Sequence, residues 1–133
     1  MAIKIDVPVG ELLDKITILE IKSERIRDEA KLGNITRELE ALRATWNSSP
    51  LSRTDLSGQV KRLKSVNEAI WDIEDGIRAR EAIGKFDDEF IQLARSVYIH
   101  NDERAAIKRE INGITASGLM EEKSYTDYTK PPE

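Results

Sequence analysis

Cysteine is absent from this chain of 133 residues and histidine occurs once. The first absence excludes a disulfide framework, a thiolate metal site and a thiol nucleophile. The second excludes a site of clustered imidazoles. Proline (4) and glycine (7) are scarce, so few breaks interrupt the Glu, Lys, Arg, Ala, Leu and Ile that favour helix. No uninterrupted apolar run approaches the roughly 18 residues that a membrane-spanning helix needs. The opening MAIKIDVPVG lacks the basic start, apolar run and small-residue cleavage site of a signal peptide, so the expected location is the cytoplasm. No phosphate loop, dinucleotide fingerprint or serine-nucleophile elbow occurs. Lys and Arg number 21 against 25 Asp and Glu, and that mildly acidic balance gives no field for nucleic acid. What the chain does have is charge of both signs, 35% of its residues, set among aliphatic side chains at helical spacing. Its length fits one domain over 1–133 with a core of its own.

The aliphatic spacing divides the chain into about four helices. Ile3, Ile5, Val7 and Val9 alternate with polar residues, which suits a short extended N-terminal arm, either a strand or an arm packed on a helix. Leu12, Ile16, Leu19 and Ile26 then lay a stripe along a first helix from Gly10 to about Lys31, widened by Leu13, Ile18 and Ile21. Leu32, Gly33 and Asn34 are expected to end it and to open a second helix carrying Ile35, Leu39, Leu42 and Trp46. A third runs from Thr54 to Ile83 with Leu56, Leu63, Ile70 and Ile77 every seven residues. Gly84 turns the chain, Asp87 caps a fourth helix, and Phe86 with Ile91 fits a hydrophobic staple. Helix four carries Leu93, Val97, His100, Arg104, Ile107, Ile111 and Ile114, leaves open whether it runs on, kinks or restarts at Asn101 and Asp102, and ends at Asn112-Gly113 or Ser117-Gly118. The tail 119–133 is expected to be partly disordered. The fold class is therefore all-α, an antiparallel bundle dominated by a long hairpin of helices three and four. That hairpin, about 42–45 Å long, outruns helices one and two, and the apolar seam left bare predicts a homodimer.

If helices three and four double back near Lys85, residues whose numbers sum to about 171 lie level. Asn67 then faces Arg104, Ile70 faces Asn101, and Glu74 comes within reach of His100. Asn67, Trp71, Glu74 and Arg78 form a stripe beside the seam, and Tyr98, His100, Asn101, Arg104 and Lys108 face it. One reading is a structural polar layer that sets register, His100 included. The other is a pocket in which Arg104 and Lys108, with Arg95, grip a small carboxylate or phosphate, because guanidinium offers a bidentate fork; Glu74 would orient that ligand or act as base.

A second constellation is carboxylate-based. Glu11 with Asp14, and Asp72 with Asp75, each share a helix face and are oxygen ligands of the kind magnesium takes. All-helical nucleoside triphosphate pyrophosphohydrolases resemble this size and architecture, but their E-x-x-E motif is missing. Helical chorismate mutases offer an analogy of fold alone. No cofactor is expected, with magnesium the alternative.

The strings VPVGELLDKITILEIKSERI (7–26), LKSVNEAIWDIEDGIR (63–78), FIQLARSVYIHNDERAAIKREIN (90–112) and EEKSY (121–125) together resemble an uncharacterised family of short bacterial helical proteins with the same GELLDKITILEIK opening and SVY-x-x-ND centre. The resemblance covers most of the chain and implies a bacterial, intracellular protein with no established activity. The functional expectation is a non-catalytic helical interaction or small-ligand-binding module. The alternative is a small helical enzyme, pyrophosphohydrolase- or mutase-like, acting on an anionic or nucleotide-like substrate. No membrane and no nucleic-acid partner is expected.

Overall fold

The computed structural model describes residues 1–130; the end of the expected frayed tail, 131–133, lies outside the described residues. The chain folds into α1 (Val9–Arg25), α2 (Glu29–Ser48), a 3-10 turn (Pro50–Arg53), α3 (Ser57–Ala82) and α4 (Asp88–Ile114). No strand occurs among the described residues, and the all-α bundle expected from the aliphatic spacing is what forms. Helix α1 is its hub. It packs against α2, α3 and α4, whereas α2 packs on α1 and the 3-10 turn. The core joins Leu13, Ile16 and Leu19 of α1 to Ile35 and Leu39 of α2, Leu63 and Val66 of α3, and Ile107 and Ile111 of α4.

The start of α1 is capped from the far end of the chain. Pro8, its N-cap, supplies no side-chain hydrogen bond. Instead the Gly10 N–H donates to Asn112 Oδ1 at 2.7 Å and the Val9 N–H to Ser117 Oγ at 3.3 Å, which satisfies two of the donors that a helix start leaves open. Only glycine allows that approach, because a Cβ at Gly10 would lie 2.6 Å from the Lys108 carbonyl oxygen. The arm before it forms no strand, and Ile3 and Ile5 stay exposed rather than packing on a helix.

Helix α1 ends sooner than expected. Ile26 is extended, and the Asp28 side chain accepts from the Lys31 N–H at 2.9 Å to open α2. The expected break at Gly33 is overturned, since Gly33 lies inside α2. An interior glycine costs only about 1 kcal/mol, and the Asp28 cap is worth about as much. Helix α2 is consequently 20 residues long and packs on α1, with Glu20–Arg43 and Lys15–Glu38 ion pairs joining the two helices.

The turn between α3 and α4 is the one the sequence predicts. Gly84 takes φ +64°, its N–H donates to Glu81 O, and the Lys85 N–H donates to Arg80 O, a Schellman closure. Asp87 then caps α4 by accepting from Phe90 N–H at 3.1 Å. The expected staple is corrected: Phe86 packs edge-on against Phe90, centroids 5.1 Å apart, and leaves Ile91 exposed. Helix α4 does not break at Asn101: it is continuous, and the Asn101 side chain bonds Arg104 one turn on. Helix α4 ends at neither expected turn. Ala116 holds the left-handed position at φ 50°, and the Ser117 N–H donates to Asn112 O. Beyond it the tail returns along α4, where Glu122 pairs with Arg109 and Tyr128 packs edge-on against Tyr98, centroids 5.0 Å apart. Among the described residues no helix is long and apolar enough to cross a membrane.

Two stability measurements check these closures. Ala116→Gly relieves a left-handed alanine and raises the unfolding free energy by about 1 kcal/mol. Gly10→Ala forces α1 away from α4 and lowers it by about 1–3 kcal/mol. Both are read by urea denaturation.

Candidate functional site

Three helices each place polar residues at core positions, and these meet in one layer. Helix α3 carries Asn67 beside the buried Leu63 and Val66. Helix α1 carries Asp14 and Thr17 among Leu13 and Ile16. Helix α4 carries Asn101, Arg104 and Lys108 beside Ile107. Asn67 is the junction, with 5% of its surface exposed. Its Nδ2 donates to Asp14 Oδ1 at 2.8 Å and to Thr17 Oγ1 at 3.1 Å, while its Oδ1 accepts from Arg104 Nη1 at 3.1 Å. Arg104 Nη2 donates to Asn101 Oδ1 at 2.7 Å. One turn further along α4, Lys108 Nζ reaches Glu11 at 2.6 Å, Glu121 of the tail at 3.3 Å and Asp14 at 3.9 Å. No buried side-chain nitrogen or oxygen among the described residues lacks a partner, as a folded core requires.

The charges of this layer are unevenly neutralised. Burial pushes the Asp14 carboxyl above its ordinary range, against the lowering effects of the Asn67 hydrogen bond and the Lys108 and Arg104 charges. Burial also disfavours the Lys108 charge, but the Glu11 hydrogen bond and the Asp14, Glu11 and Glu121 charges outweigh it, so its pKa is raised. The ion pairs of the layer all run to Lys108. Arg104, half-buried, spends both of its hydrogen bonds on neutral amide oxygens among the described residues.

Beside Arg104 the layer opens into a cleft of about 310 Å³. Ile18 and Ile21 of α1, Asn67, Ile70, Trp71, Glu74, Asp75 and Arg78 of α3, and Arg104 of α4 line it. It lies where α1 ends, and the Arg25 guanidinium sits 5.7 Å from the Trp71 ring centroid while pairing with Asp72 at 2.6 Å.

The structure thus brings Asn67, Trp71, Glu74, Arg78 and Arg104 to one cleft, with Asn101 as the anchor of Arg104 and Lys108 one turn deeper. Three of the residues expected there, His100, Tyr98 and Arg95, lie outside its lining, and the expected approach of Glu74 to His100 does not form. His100 Nδ1 lies 2.8 Å from the Ser96 carbonyl of its own helix, and Glu74 instead pairs with Arg78, because i,i+4 partners on one helix meet without any docking between helices. Tyr98 packs on the tail through Tyr128; Arg95 reaches only the Tyr98 hydroxyl, at 3.4 Å. The carboxylates weighed as magnesium ligands are dispersed. Glu11 and Asp14 engage Lys108, Asp72 engages Arg25, and Asp75 lines the cleft. No group of three or more potential ligands forms among the described residues. Sequence reasoning missed Asp14 and Thr17 as the partners of Asn67. Their signal was present: two polar residues at i and i+3, each directly following a core residue, Leu13 and Ile16.

The architecture defines a class, a helical bundle whose hub helix is locked to a long hairpin through buried polar groups. Within it, the chain belongs to a family of unknown function, DUF6165, whose profile matches residues 3–133. No curated protein and no solved structure matches the chain.

Asp14 makes stability depend on pH with a definite sign. A carboxyl whose folded pKa exceeds its ordinary 3.8 binds protons more tightly in the folded state, so its contribution is greatest below 3.8 and is lost as pH rises through the raised folded value. Asp14→Asn removes that titration and keeps an acceptor for Asn67. The stability of the native chain relative to this variant falls with rising pH across that window and is flat above it, as denaturation at stepped pH will show.

Proposed function

We propose that the protein is a non-catalytic, cytoplasmic small-ligand-binding module whose cleft receives the carboxylate or phosphate of a compact ligand on Arg104. One observation carries the reading: a half-buried guanidinium beside an apolar cleft is held in place by two amide oxygens and paired with no carboxylate among the described residues. Asn67 stands between Arg104 and Asp14 and bonds both. The cation is oriented without being neutralised, and an incoming anion would form charge-assisted hydrogen bonds to donors already aimed. The volume is at the small end of ligand sites, and Ile18, Ile21, Ile70 and Trp71 favour an apolar or planar body behind the anionic head.

The alternative, an enzyme acting on such an anion, needs an acid–base group in the cleft. Glu74 and Asp75 line the cleft, but Glu74 is held by Arg78 of its own helix, and Asp14, the carboxyl that burial raises, stands behind Asn67 and outside the lining. Binding without turnover is therefore the reading the geometry supports.

Thermal unfolding with benzoate, phenyl phosphate and uncharged benzyl alcohol tests it. The two anions should raise the melting temperature and benzyl alcohol should not, since a ligand at 100 times its Kd stabilises by about 2.7 kcal/mol. Arg104→Gln should weaken anion binding by about tenfold or more, measured by calorimetric titration. Equal shifts with benzyl alcohol, or undiminished anion binding by Arg104→Gln, would overturn the reading.

A further inference from the structure

No residue from 68 to 106 is buried. That stretch is the distal part of the α3–α4 hairpin, which extends beyond α1. Helix α1, 17 residues, spans about 25 Å, while α3 and α4, 26 and 27 residues, span about 40 Å. Apart from Arg25 over Trp71 and the tail against α4 at Tyr98, these two helices pack on each other as a single layer, whereas a stable domain needs a second layer over its apolar side. At the tip Ile83 and Phe86 are 72% and 58% exposed. Something is expected to cover the hairpin, and the sequence of α3 says what.

A stripe at 3,4,3,4 spacing runs down the side of α3 that borders the open cleft, Glu68, Trp71, Asp75, Arg78 and Ala82, and Lys85 follows it in the turn past Gly84. Its first half is acid, tryptophan, acid. Its second half is base, alanine, base. Turned end for end, the stripe is its own complement. Glu68 meets Lys85, Asp75 meets Arg78, and the large Trp71 ring meets the small Ala82. We infer that the distal hairpin is an interface between two copies of this chain, paired α3 to α3 antiparallel about a two-fold axis between Gly76 and Ile77. A two-fold contact requires self-complementarity of this kind, and a partner of uniform charge would meet repulsion along half of the stripe. Asp75 and Arg78 are exposed; Asp75 makes no ion pair among the described residues, and Arg78, paired with Glu74 of its own helix, keeps further donors for a second copy. At the ends of the stripe Glu68 already lies 3.9 Å from Arg25, and Lys85 lies 3.5 Å from Asp87, so the central pair sets the register.

The same pairing carries the second copy's turn to the level of Asn67 and Trp71, so each copy would wall the open side of the other's cleft. That consequence rests on the ligand reading; the pairing itself rests on burial and charge pattern and is measured without ligand.

Sedimentation equilibrium of the full chain at up to 100 µM tests it. A species of about 30 kDa, twice 15.1 kDa, is expected. Asp75→Arg and Arg78→Asp should each raise the dimer dissociation constant by about tenfold or more, because each places like charges opposite one another twice across the axis. The doubly reversed chain, Asp75→Arg with Arg78→Asp, should return to near the original value. Both positions are exposed, and circular dichroism confirms that the variants fold. A 15 kDa monomer at 100 µM overturns the inference. So does a dimer that both single reversals leave intact, which would place the interface elsewhere.

Discussion

The Asn67 amide is the constraint on which the rest of the molecule depends. A carboxylate as enclosed as Asp14 cannot remain in a protein interior unless its lost hydration is replaced by hydrogen bonds and opposing charge. Asn67 replaces part of it with one hand of its amide and, with the other, accepts from Arg104. A single side chain of α3 therefore ties α1 to α4. The tie is directional in a way that aliphatic contacts are not. Leu63 and Ile107 could slide by a turn and still be buried, whereas the amide has one register in which all three partners are met. The glycine contact at the start of α1 acts in the same sense, since Gly10 lets the helix start lie against the Lys108 carbonyl within reach of Asn112.

Once α1 is locked in that position, its length decides what the hairpin exposes. The break at residues 26–28 stops it after 17 residues, and the distal half of the hairpin is left without that cover. The cleft forms where Ile18 and Ile21 end the cover over α3 and α4. Arg25, in the last turn, spreads over Trp71 and pairs with Asp72, closing the edge of the covered region with charge rather than apolar surface.

Architecture was legible where one local rule acted alone. The turn at Gly84 and the cap at Asp87 are both set by a few adjacent residues, and both were read correctly, as was the pairing of Asn67 with Arg104, which follows from the turn by counting. The α1–α2 boundary failed because two local signals competed. Gly33 is the more conspicuous breaker, yet Asp28 offers the better cap, and the choice belongs to tertiary packing. Ala116 gives no sign in the sequence of its left-handed backbone; its conformation follows from the need to bring Ser117 back to Val9, a contact 108 residues apart. The partners of Asn67 were hidden for a related reason. Counting from the Gly84 turn sets level only residues within the hairpin; the spacing of Asp14 and Thr17 marks them as polar residues on the core face of α1, but it does not say which residue of the hairpin that face meets.

The arrangement of charges bears on whether the polar layer only sets register. For that task a direct pair would be the cheaper solution, since two opposite charges in contact offset one another's desolvation. Here Lys108 has that solution three times over, with Glu11, Asp14 and Glu121. Arg104, one turn away, has it not once among the described residues, although Asp14 is near enough to feel its charge. Asn67 intercepts that carboxylate, and Asn101 takes another of the guanidinium donors. Two neutral amides hold a cation at the edge of an apolar cleft and leave its charge uncancelled. As structure alone, that is a less stable choice than the pairing one turn deeper. It becomes the favourable choice if the missing negative charge is brought from outside.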